Sequence, residues 1–302
     1  MRPFPSYSLP AAVLAGGLVI AAGSAVRAAL GIGSPSAGAA AAAGNPALAV
    51  AASTAGPPVP GTNAEARPPR ADGTGVEPVP ARGSHAFYFT RGIYSDQGGR
   101  WGRGSWAVDY PKADRQFLTV LRRLTNLDAY SSEHAVALDD PELRRHPFIY
   151  MLEVGYMSLT ADEMKGLRDY LLAGGFAFID DFWGTRQWQN FERQMRIVLP
   201  EHEIVDLPLD HPIFNSLYHV RALVQVPSIN NWRGRRQTHE QDGYEPRARA
   251  IIDHDGRLLM MINWNTDIGD AWEWAEQPDY PLEFSTFAFQ VGANAIVYAM
   301  SH

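Results

Sequence analysis

The chain carries GGFAFIDDFWG at residues 174–184, and this stretch indicates the fold more clearly than any other. Its apolar centre, residues 176–179, suits a buried strand, and that strand runs directly into Asp180 and Asp181. In an open parallel sheet, ligands bind just beyond the carboxyl ends of the strands. The stretch therefore predicts a central strand and the edge of the sheet at which a site should lie.

Strand-like and helix-like segments alternate around this stretch. After Pro111, apolar residues spaced i, i+3, i+4 and i+7 predict a helix, and Thr160 with Glu163 has the spacing of a capping box. A terminal helix is predicted over residues 285–300. Short apolar segments predict strands at residues 87–90, 135–138, 148–152, 176–179, 250–253 and 258–263. This alternation is typical of a doubly wound α/β fold with a mostly parallel sheet.

The first 84 residues differ in composition from the rest. Residues 1–28 combine Arg2, a short apolar block and small residues near Ala28, which indicates an export signal, with an uncleaved membrane anchor as the alternative. Residues 29–84 are rich in Ala, Gly, Pro and Ser, and such a stretch buries too little apolar surface to fold. We therefore expect a disordered linker followed by one α/β domain at residues 85–302, in an exported protein that is periplasmic or tethered to the membrane by its N-terminal segment.

Composition excludes several classes of function. The chain has no cysteine, so disulfides, thiolate metal sites and a cysteine nucleophile are ruled out. Its net charge is −7, and residues 85–302 carry 21 basic and 30 acidic side chains, a net of −9. Nucleic-acid binding requires clustered Lys and Arg, so no nucleic-acid partner is expected. No cofactor motif is present, since the Gly-x-Gly turn at residues 102–107 lacks a preceding strand.

Three carboxylates at predicted strand ends are candidates for chemistry. Asp180 and Asp181 could act as acid and base, bind a metal or cap the next helix. Glu153 directly follows five apolar residues, and a buried carboxylate there must be paired or protonated. It is a catalytic candidate, with an ion pair to Arg91 or Arg103 as the alternative.

Aromatic, imidazole and oxygen-rich segments offer further candidates. Trp101 and Arg103 suit stacking against a flat or sugar-like ligand, and they equally suit packing over the sheet edge. His211, in Asp-His-Pro, is a catalytic candidate or a turn histidine. Residues 263–270 are rich in Asn and Asp but depart from the calcium-loop pattern; a calcium site of another geometry and helix capping by Thr266 or Asp270 both remain open.

Several motifs together resemble a known bacterial family. They occur in the order Trp101-Gly102-Arg103-Gly104, Asp109-Tyr110-Pro111, Glu153-Val154-Gly155-Tyr156, Asp180-Asp181-Phe182-Trp183-Gly184, Leu209-Asp210-His211-Pro212-Ile213-Phe214 and Asn265-Thr266-Asp267-Ile268-Gly269-Asp270. With them, residues 85–302 resemble domain-of-unknown-function family 4159, which is similar to class I glutamine amidotransferase-like domains with a flavodoxin-like sheet. The resemblance implies partners in a cell-envelope system of MoxR-type ATPases and von Willebrand factor A-like proteins. Glutamine hydrolysis does not carry over, because the turn after the strand holds Asp180-Asp181-Phe182-Trp183 and the chain has no Cys.

These observations predict an exported, non-catalytic module that binds a ligand or a protein in an amidotransferase-like cleft. The alternative is a carboxylate-dependent hydrolase of a polar or carbohydrate substrate, with or without a divalent metal. A scaffold protein with a vestigial cleft is the third interpretation. No metal ligands are assigned. The catalytic candidates are Glu153, Asp181 and His211, and the predicted ligand-binding residues are Trp101, Arg103, Asp180, Trp183, Asn265, Asp267 and Asp270.

Overall fold

Seven strands form one mostly parallel sheet in this computed structural model, which describes residues 85–97 and 104–302. The predicted export signal, the linker, Trp101 and Arg103 lie outside the described residues. Within the described part, six α-helices accompany the sheet, so the mixed α/β class is confirmed. No helix there is both long enough and apolar enough to cross a lipid bilayer.

The strands follow one direction across most of the sheet. Their order is β2-β1-β3-β4-β7-β6-β5, and the pairs from β2 to β7 are parallel. β6 is antiparallel to β7, and the edge strand β5 is antiparallel to β6. The bounds are β1 Thr90–Ile93, β2 His134–Ala137, β3 Phe148–Leu152, β4 Phe176–Asp180, β5 Ile204–Asp206, β6 Arg247–Ile252 and β7 Leu258–Trp264.

Helices cover both faces of the sheet. The bounds are α1 Lys112–Leu124, α2 Ala161–Leu172, α3 Gly184–Val198, α4 Ile229–Arg235, α5 Ile268–Glu273 and α6 Leu282–Ser301. Side chains of β4 alternate between the two layers: Phe176 and Phe178 belong to one apolar cluster, and Ala177 and Ile179 belong to the other. Because both faces are covered, β3 and β4 are buried along their whole length, as the continuous apolar pattern predicted.

The first strand differs from its prediction because a buried charge lies within it. The prediction ended the strand before Arg91, whereas β1 continues to Ile93. Arg91 is fully buried and pairs with Asp114 of α1, with its Nη2 2.9 Å from Asp114 Oδ2. Its Nη1 also donates to the backbone carbonyls of Trp106 and Val108. A buried charge is tolerated when it is paired and hydrogen-bonded in this way.

The predicted capping box is confirmed, the predicted cap of a later helix is wrong, and some short elements were missed. The Thr160 side chain accepts a hydrogen bond from the Glu163 amide, and the Glu163 side chain accepts one from the Thr160 amide, which completes the capping box of α2. β5 and α4 escaped prediction because three and seven residues carry too little periodicity. α5 is capped by Asp267 and not by Thr266 or Asp270.

Candidate functional site

The carboxyl ends of β3, β4 and β7 meet at one edge of the sheet. Backbone hydrogen bonds continue between the chains after the strands end: the Glu153 amide donates to the Asp181 carbonyl at 3.0 Å, and the Asp181 amide donates to the Thr266 carbonyl at 3.1 Å. The Asn265 amide donates to the Phe182 carbonyl. This extended ladder holds the segments that follow the three strands side by side.

Three carboxylates converge at this edge. Asp109 lies just before α1, Asp181 follows β4 and Asp267 follows β7, and one oxygen of each lies within 4.8 Å of the other two. Asp181 is 6% exposed and Asp267 is 4% exposed. The Asp109 Oδ2 atom is buried and has no hydrogen-bond partner among the described residues. We call Asp109, Asp181 and Asp267 the acidic pocket.

Burial raises the pKa of every carboxyl group in the acidic pocket well above its usual range. For Asp181, the charges of Glu153 and Asp109 add to this effect, and for Asp267 the charges of Asp181 and Asp270 do so. The pKa of Asp109 is raised by burial and then by Asp270 and Glu273. Without a compensating charge, the pocket therefore keeps protons at a pH where free aspartates have lost them.

Asp180, the last residue of β4, is hydrogen-bonded to β3 and to the first turn of α5. Its Oδ2 accepts hydrogen bonds from the Tyr150 hydroxyl at 3.0 Å and from the Gly269 amide at 2.9 Å. Its other oxygen, Oδ1, is buried without a hydrogen-bond partner in the described structure. Burial raises the pKa of Asp180 to about 7, although the hydrogen bonds it accepts act in the opposite direction.

Gly269 leaves the space that the acidic pocket needs. A Cβ atom at this position would lie 2.7 Å from the Tyr150 hydroxyl and 2.8 Å from Asp109 Oδ2. Any side chain would therefore enter the pocket. The first turn of α5 also carries Asp270, whose Oδ2 accepts from the Ile229 amide at 2.6 Å and whose Oδ1 accepts from Trp274 Nε1.

A second acidic group shares Asp109. Asp109, Asp270 and Glu273 also bring one oxygen each within 4.8 Å of one another. Burial and the charge of Asp270 raise the pKa of Glu273 to about 7. Because the hydrogen bonds to the Ile229 amide and the Trp274 indole engage both oxygens of Asp270, this group is less free than the acidic pocket to bind an ion.

Four residues around the site have left-handed backbone conformations. The φ angles are 60° at Asp109, 52° at Glu153, 47° at Asp181 and 62° at Asn265. Such conformations cost about 1–3 kcal/mol each for residues other than glycine and are enriched at functional sites. Asp and Asn tolerate them best, which fits three of the four positions.

The structure brings most of the described candidates together. Trp183 donates from Nε1 to Asp181 Oδ1 at 2.9 Å. Asn265 accepts from the Gly184 amide through Oδ1 and donates to the Glu245 carbonyl, so it joins α3 to the segment before β6. Glu153 lies beside Asp181, whose pKa its charge raises.

Two expectations need correction. Arg91 does not pair with Glu153, because the buried pair with Asp114 already engages it. His211 lies away from the acidic pocket: its ring packs 5.7 Å from that of Tyr298, and Tyr298 packs 6.4 Å from Phe176, the first residue of β4. Asp181 follows the last residue of the same strand, about 16 Å further along. The His211 Nδ1 accepts from the Ile213 amide, the contact of a turn histidine.

Asp109 was not among the candidate residues, although it belongs to both acidic groups. The available signal was its place in Asp109-Tyr110-Pro111, directly before a helix. An aspartate there reads as an ordinary residue at the start of a helix, and the Ala113 amide does donate to the Asp109 carbonyl. Only the arrangement of the chain in space shows that its side chain joins Asp181 and Asp267.

The arrangement suits a hard cation. Carboxylate oxygens are the preferred ligands of Ca²⁺, Mg²⁺ and Mn²⁺. Two oxygens on opposite sides of one Ca²⁺ lie about 4.6–5.2 Å apart, since each Ca–O distance is about 2.3–2.6 Å. The three carboxylate oxygens of the acidic pocket lie within 4.8 Å of one another, a separation that one such ion can bridge. One ion could therefore contact all three residues.

Comparison with known proteins gives a family and no activity. No curated protein matches this sequence. A family described as a domain of unknown function, DUF4159, matches residues 96–300, which include all three residues of the acidic pocket and the strand ends that hold them. Since the match covers more than half of the chain, the protein belongs to the DUF4159 family.

Proposed function

We propose that this domain is a non-catalytic binding module, and that its acidic pocket binds a hard divalent cation. The observation that carries the proposal is the convergence of two buried carboxylates, Asp181 and Asp267, with the buried Oδ2 of the half-buried Asp109, without a cation among the described residues that contact them. The nearest buried guanidinium, that of Arg91, is paired with Asp114.

The physical reason is the cost of burying like charges. Ionised carboxylates in a buried site are unfavourable unless a positive charge compensates them, so without a cation the pocket retains protons. A divalent cation replaces these protons and satisfies the unpartnered Oδ2 of Asp109. Cation binding should therefore release protons and become tighter as the pH rises.

The strand order supports a flavodoxin-like assignment for the domain. The order β2-β1-β3-β4-β7 corresponds to the 2-1-3-4-5 order of flavodoxin-like sheets, with β6 and β5 added as an antiparallel extension. This is also the basis for proposing the likeness to class I glutamine amidotransferases. The position after β4 holds Asp181 in a left-handed conformation, where those enzymes present a cysteine nucleophile.

A metal-assisted hydrolase is the second candidate. The pKa of Asp180, about 7, suits proton transfer at neutral pH. Asp180 is fully buried, however, and its Oδ2 is engaged by Tyr150 and Gly269, so a substrate has no direct route to it in this conformation. The binding role is therefore better supported.

The setting of the module is also a proposal. The composition of residues 1–28 supports export, and the family resemblance supports partners in an envelope system of MoxR-type ATPases and von Willebrand factor A-like proteins. Fractionation of cells that express the full chain tests the export proposal. Recovery of the protein in the cytoplasmic fraction alone would contradict it.

Calorimetric titration of the full chain with Ca²⁺, Mn²⁺ and Mg²⁺ tests the cation proposal. We expect binding of at least one of these ions by the wild type, and a loss of at least tenfold in affinity for both Asp181→Asn and Asp267→Asn. Asp162→Asn, which removes an exposed carboxylate at the start of α2, is the matched control and should leave affinity unchanged. Absence of binding by the wild type, or equal binding by all variants, would overturn the proposal.

A further inference from the structure

A second cavity lies beside the same edge of the sheet and has the opposite chemistry. It has a volume of about 310 Å³, and its walls come from segments that follow β1, β3 and β4. Among the described residues, its lining contains two arginines, Arg186 and Arg193 of α3, and no carboxylate. The remaining polar lining is dominated by side-chain amides, including those of Gln187 and Asn190. This is a local reversal of charge, since residues 85–302 as a whole are acidic.

Asn190 holds one arginine in place. Its Nδ2 donates to the carbonyls of Gly155 and Met157 at 3.1 and 2.8 Å, and its Oδ1 accepts from Arg193 Nη2 at 2.8 Å. Asn190 is buried and Arg193 is exposed, so the amide anchors an arginine that reaches the solvent. The remaining N–H groups of Arg193 have no partner among the described residues and stay available to a ligand.

The other donors in the cavity are also available. Arg186 is exposed and has neither a hydrogen bond nor an ion pair within the described part of the chain. Gln187 is buried, and its Oε1 accepts from the Trp183 amide at 2.6 Å, which leaves the Nε2 group free to donate. Two guanidinium groups and an oriented amide thus present only donors to the cavity.

We propose that this cavity binds an oxyanion group: a phosphate, a sulfate or a carboxylate. Planar guanidinium donors match the oxygens of such groups, and hydrogen bonds between charged partners are roughly twice as strong as neutral ones. The absence of a carboxylate from the lining removes the intramolecular competitor that usually neutralises an arginine. The ligand class follows from the donors and does not depend on a cation in the acidic pocket.

The two sites are joined by a short chain of hydrogen bonds. Gln187 accepts from the Trp183 amide, and Trp183 Nε1 donates to Asp181 Oδ1. Trp183 therefore links Asp181 of the acidic pocket to Gln187 of the oxyanion site. A ligand that carries both an anionic group and a bound cation has the chemistry to engage both sites.

The protein is first stripped of divalent ions with EDTA and then dialysed into EDTA-free buffer of low ionic strength. Titration of this full chain with inorganic phosphate, sulfate and acetate tests the oxyanion site. We expect at least one anion to bind more tightly than about 10 mM. Phosphate or sulfate would indicate an ester of those acids as the natural group, and acetate would indicate a carboxylate. EDTA removes divalent ions, so failure of the acidic pocket to bind a cation leaves this test intact.

The variants Arg186→Gln and Arg193→Gln identify the site. Each should weaken anion binding about tenfold, the effect of losing one charge-assisted contact. Arg196→Gln is the control, because Arg196 is an exposed arginine of the same helix that pairs with Glu192; its affinity should stay within about twofold of the wild type. Circular dichroism should show all three variants folded. Failure of all three anions to bind, or equal loss in the control, would overturn the proposal.

Discussion

Replacing Asp181 by asparagine should stabilise the cation-free domain at alkaline pH and remove its stabilisation by Ca²⁺. Asparagine keeps an oxygen that can accept from Trp183 Nε1, so the local hydrogen bond is preserved while one negative charge is lost. Asp109 and Asp267 are then the only ionisable carboxyl groups of the acidic pocket, and neither is repelled by a charge on residue 181. The substitution thus removes the charge of residue 181 while it changes the shape of the side chain as little as possible.

The sign of the pH dependence follows from the raised pKa values. Between the unfolded pKa of about 3.9 and the folded pKa, the native pocket holds protons that the unfolded chain has released. The free energy of unfolding therefore falls as the pH rises through the folded pKa. For Asp180 alone, a pKa of about 7 corresponds to a loss on the order of 4 kcal/mol across that range. Wild-type protein in EDTA should accordingly be less stable at pH 8.5 than at pH 6.5.

A bound cation should reverse this loss. At one hundred times its dissociation constant, a ligand that binds only the native state adds about 2.7 kcal/mol. For a domain of about 220 residues, that raises the melting temperature by roughly 5–11 °C. The measurement is thermal unfolding at pH 6.5 and 8.5, with EDTA or Ca²⁺, of the wild type, Asp181→Asn and the control Asp162→Asn. A Ca²⁺-induced increase that survives in Asp181→Asn, or a wild type more stable at pH 8.5 in EDTA, would refute the reasoning.

Four further substitutions test other parts of the structure. Asp114→Ala should cost about 3–5 kcal/mol in urea unfolding, because it leaves the Arg91 charge buried and unpaired; a cost below 1 kcal/mol, the usual value of a surface pair, would contradict the buried pair. Gly166→Ala should destabilise the domain, since a Cβ would lie 1.9 Å from a backbone carbonyl. Gly234→Ala meets nothing within 4 Å and should stabilise α4 by up to about 1 kcal/mol. A stabilised Gly166→Ala would show that the close contact of α2 yields easily. His146→Gln should reduce the loss of stability on acidification. Burial lowers the pKa of His146 to about 4, so between about pH 6.5 and 4 the imidazole takes up its proton in the unfolded chain but not in the folded one. An unchanged midpoint of acid unfolding would show that this ring is hydrated.

The sequence predicts the central strands because their environment is uniform. β3 occupies the predicted residues 148–152, and β4 begins at the predicted Phe176, since both are covered on two faces and every position must be apolar. Prediction fails where a charged residue within a strand is paired with a residue that is distant in the sequence. Arg91 looks like the end of a strand until Asp114, 23 residues away, is placed beside it.

The candidate site was predictable in part. Asp181 directly follows β4, and Asp267 lies three residues beyond the end of β7. The parallel arrangement brings such positions to one edge, so the rule for strand ends identified them. Asp109 precedes a helix and carried no such signal. His211 was grouped with these residues because Asp-His-Pro suggests chemistry, but α6 returns to the amino end of the sheet and Tyr298 packs there against the imidazole. Local spacing in the sequence shows neither the position of Asp109 in the acidic pocket nor that of His211 at the amino end of the sheet.

The short edge strand β5 has a consequence for how molecules of this protein meet in solution. Its backbone groups face outward over only three residues, and Asp206 at its end is exposed and lies 3.2 Å from Arg249 of β6. A neighbouring molecule that added a strand here would gain few backbone hydrogen bonds and would have to desolvate this ion pair. This border of the sheet is therefore a poor template for the addition of a strand from another molecule.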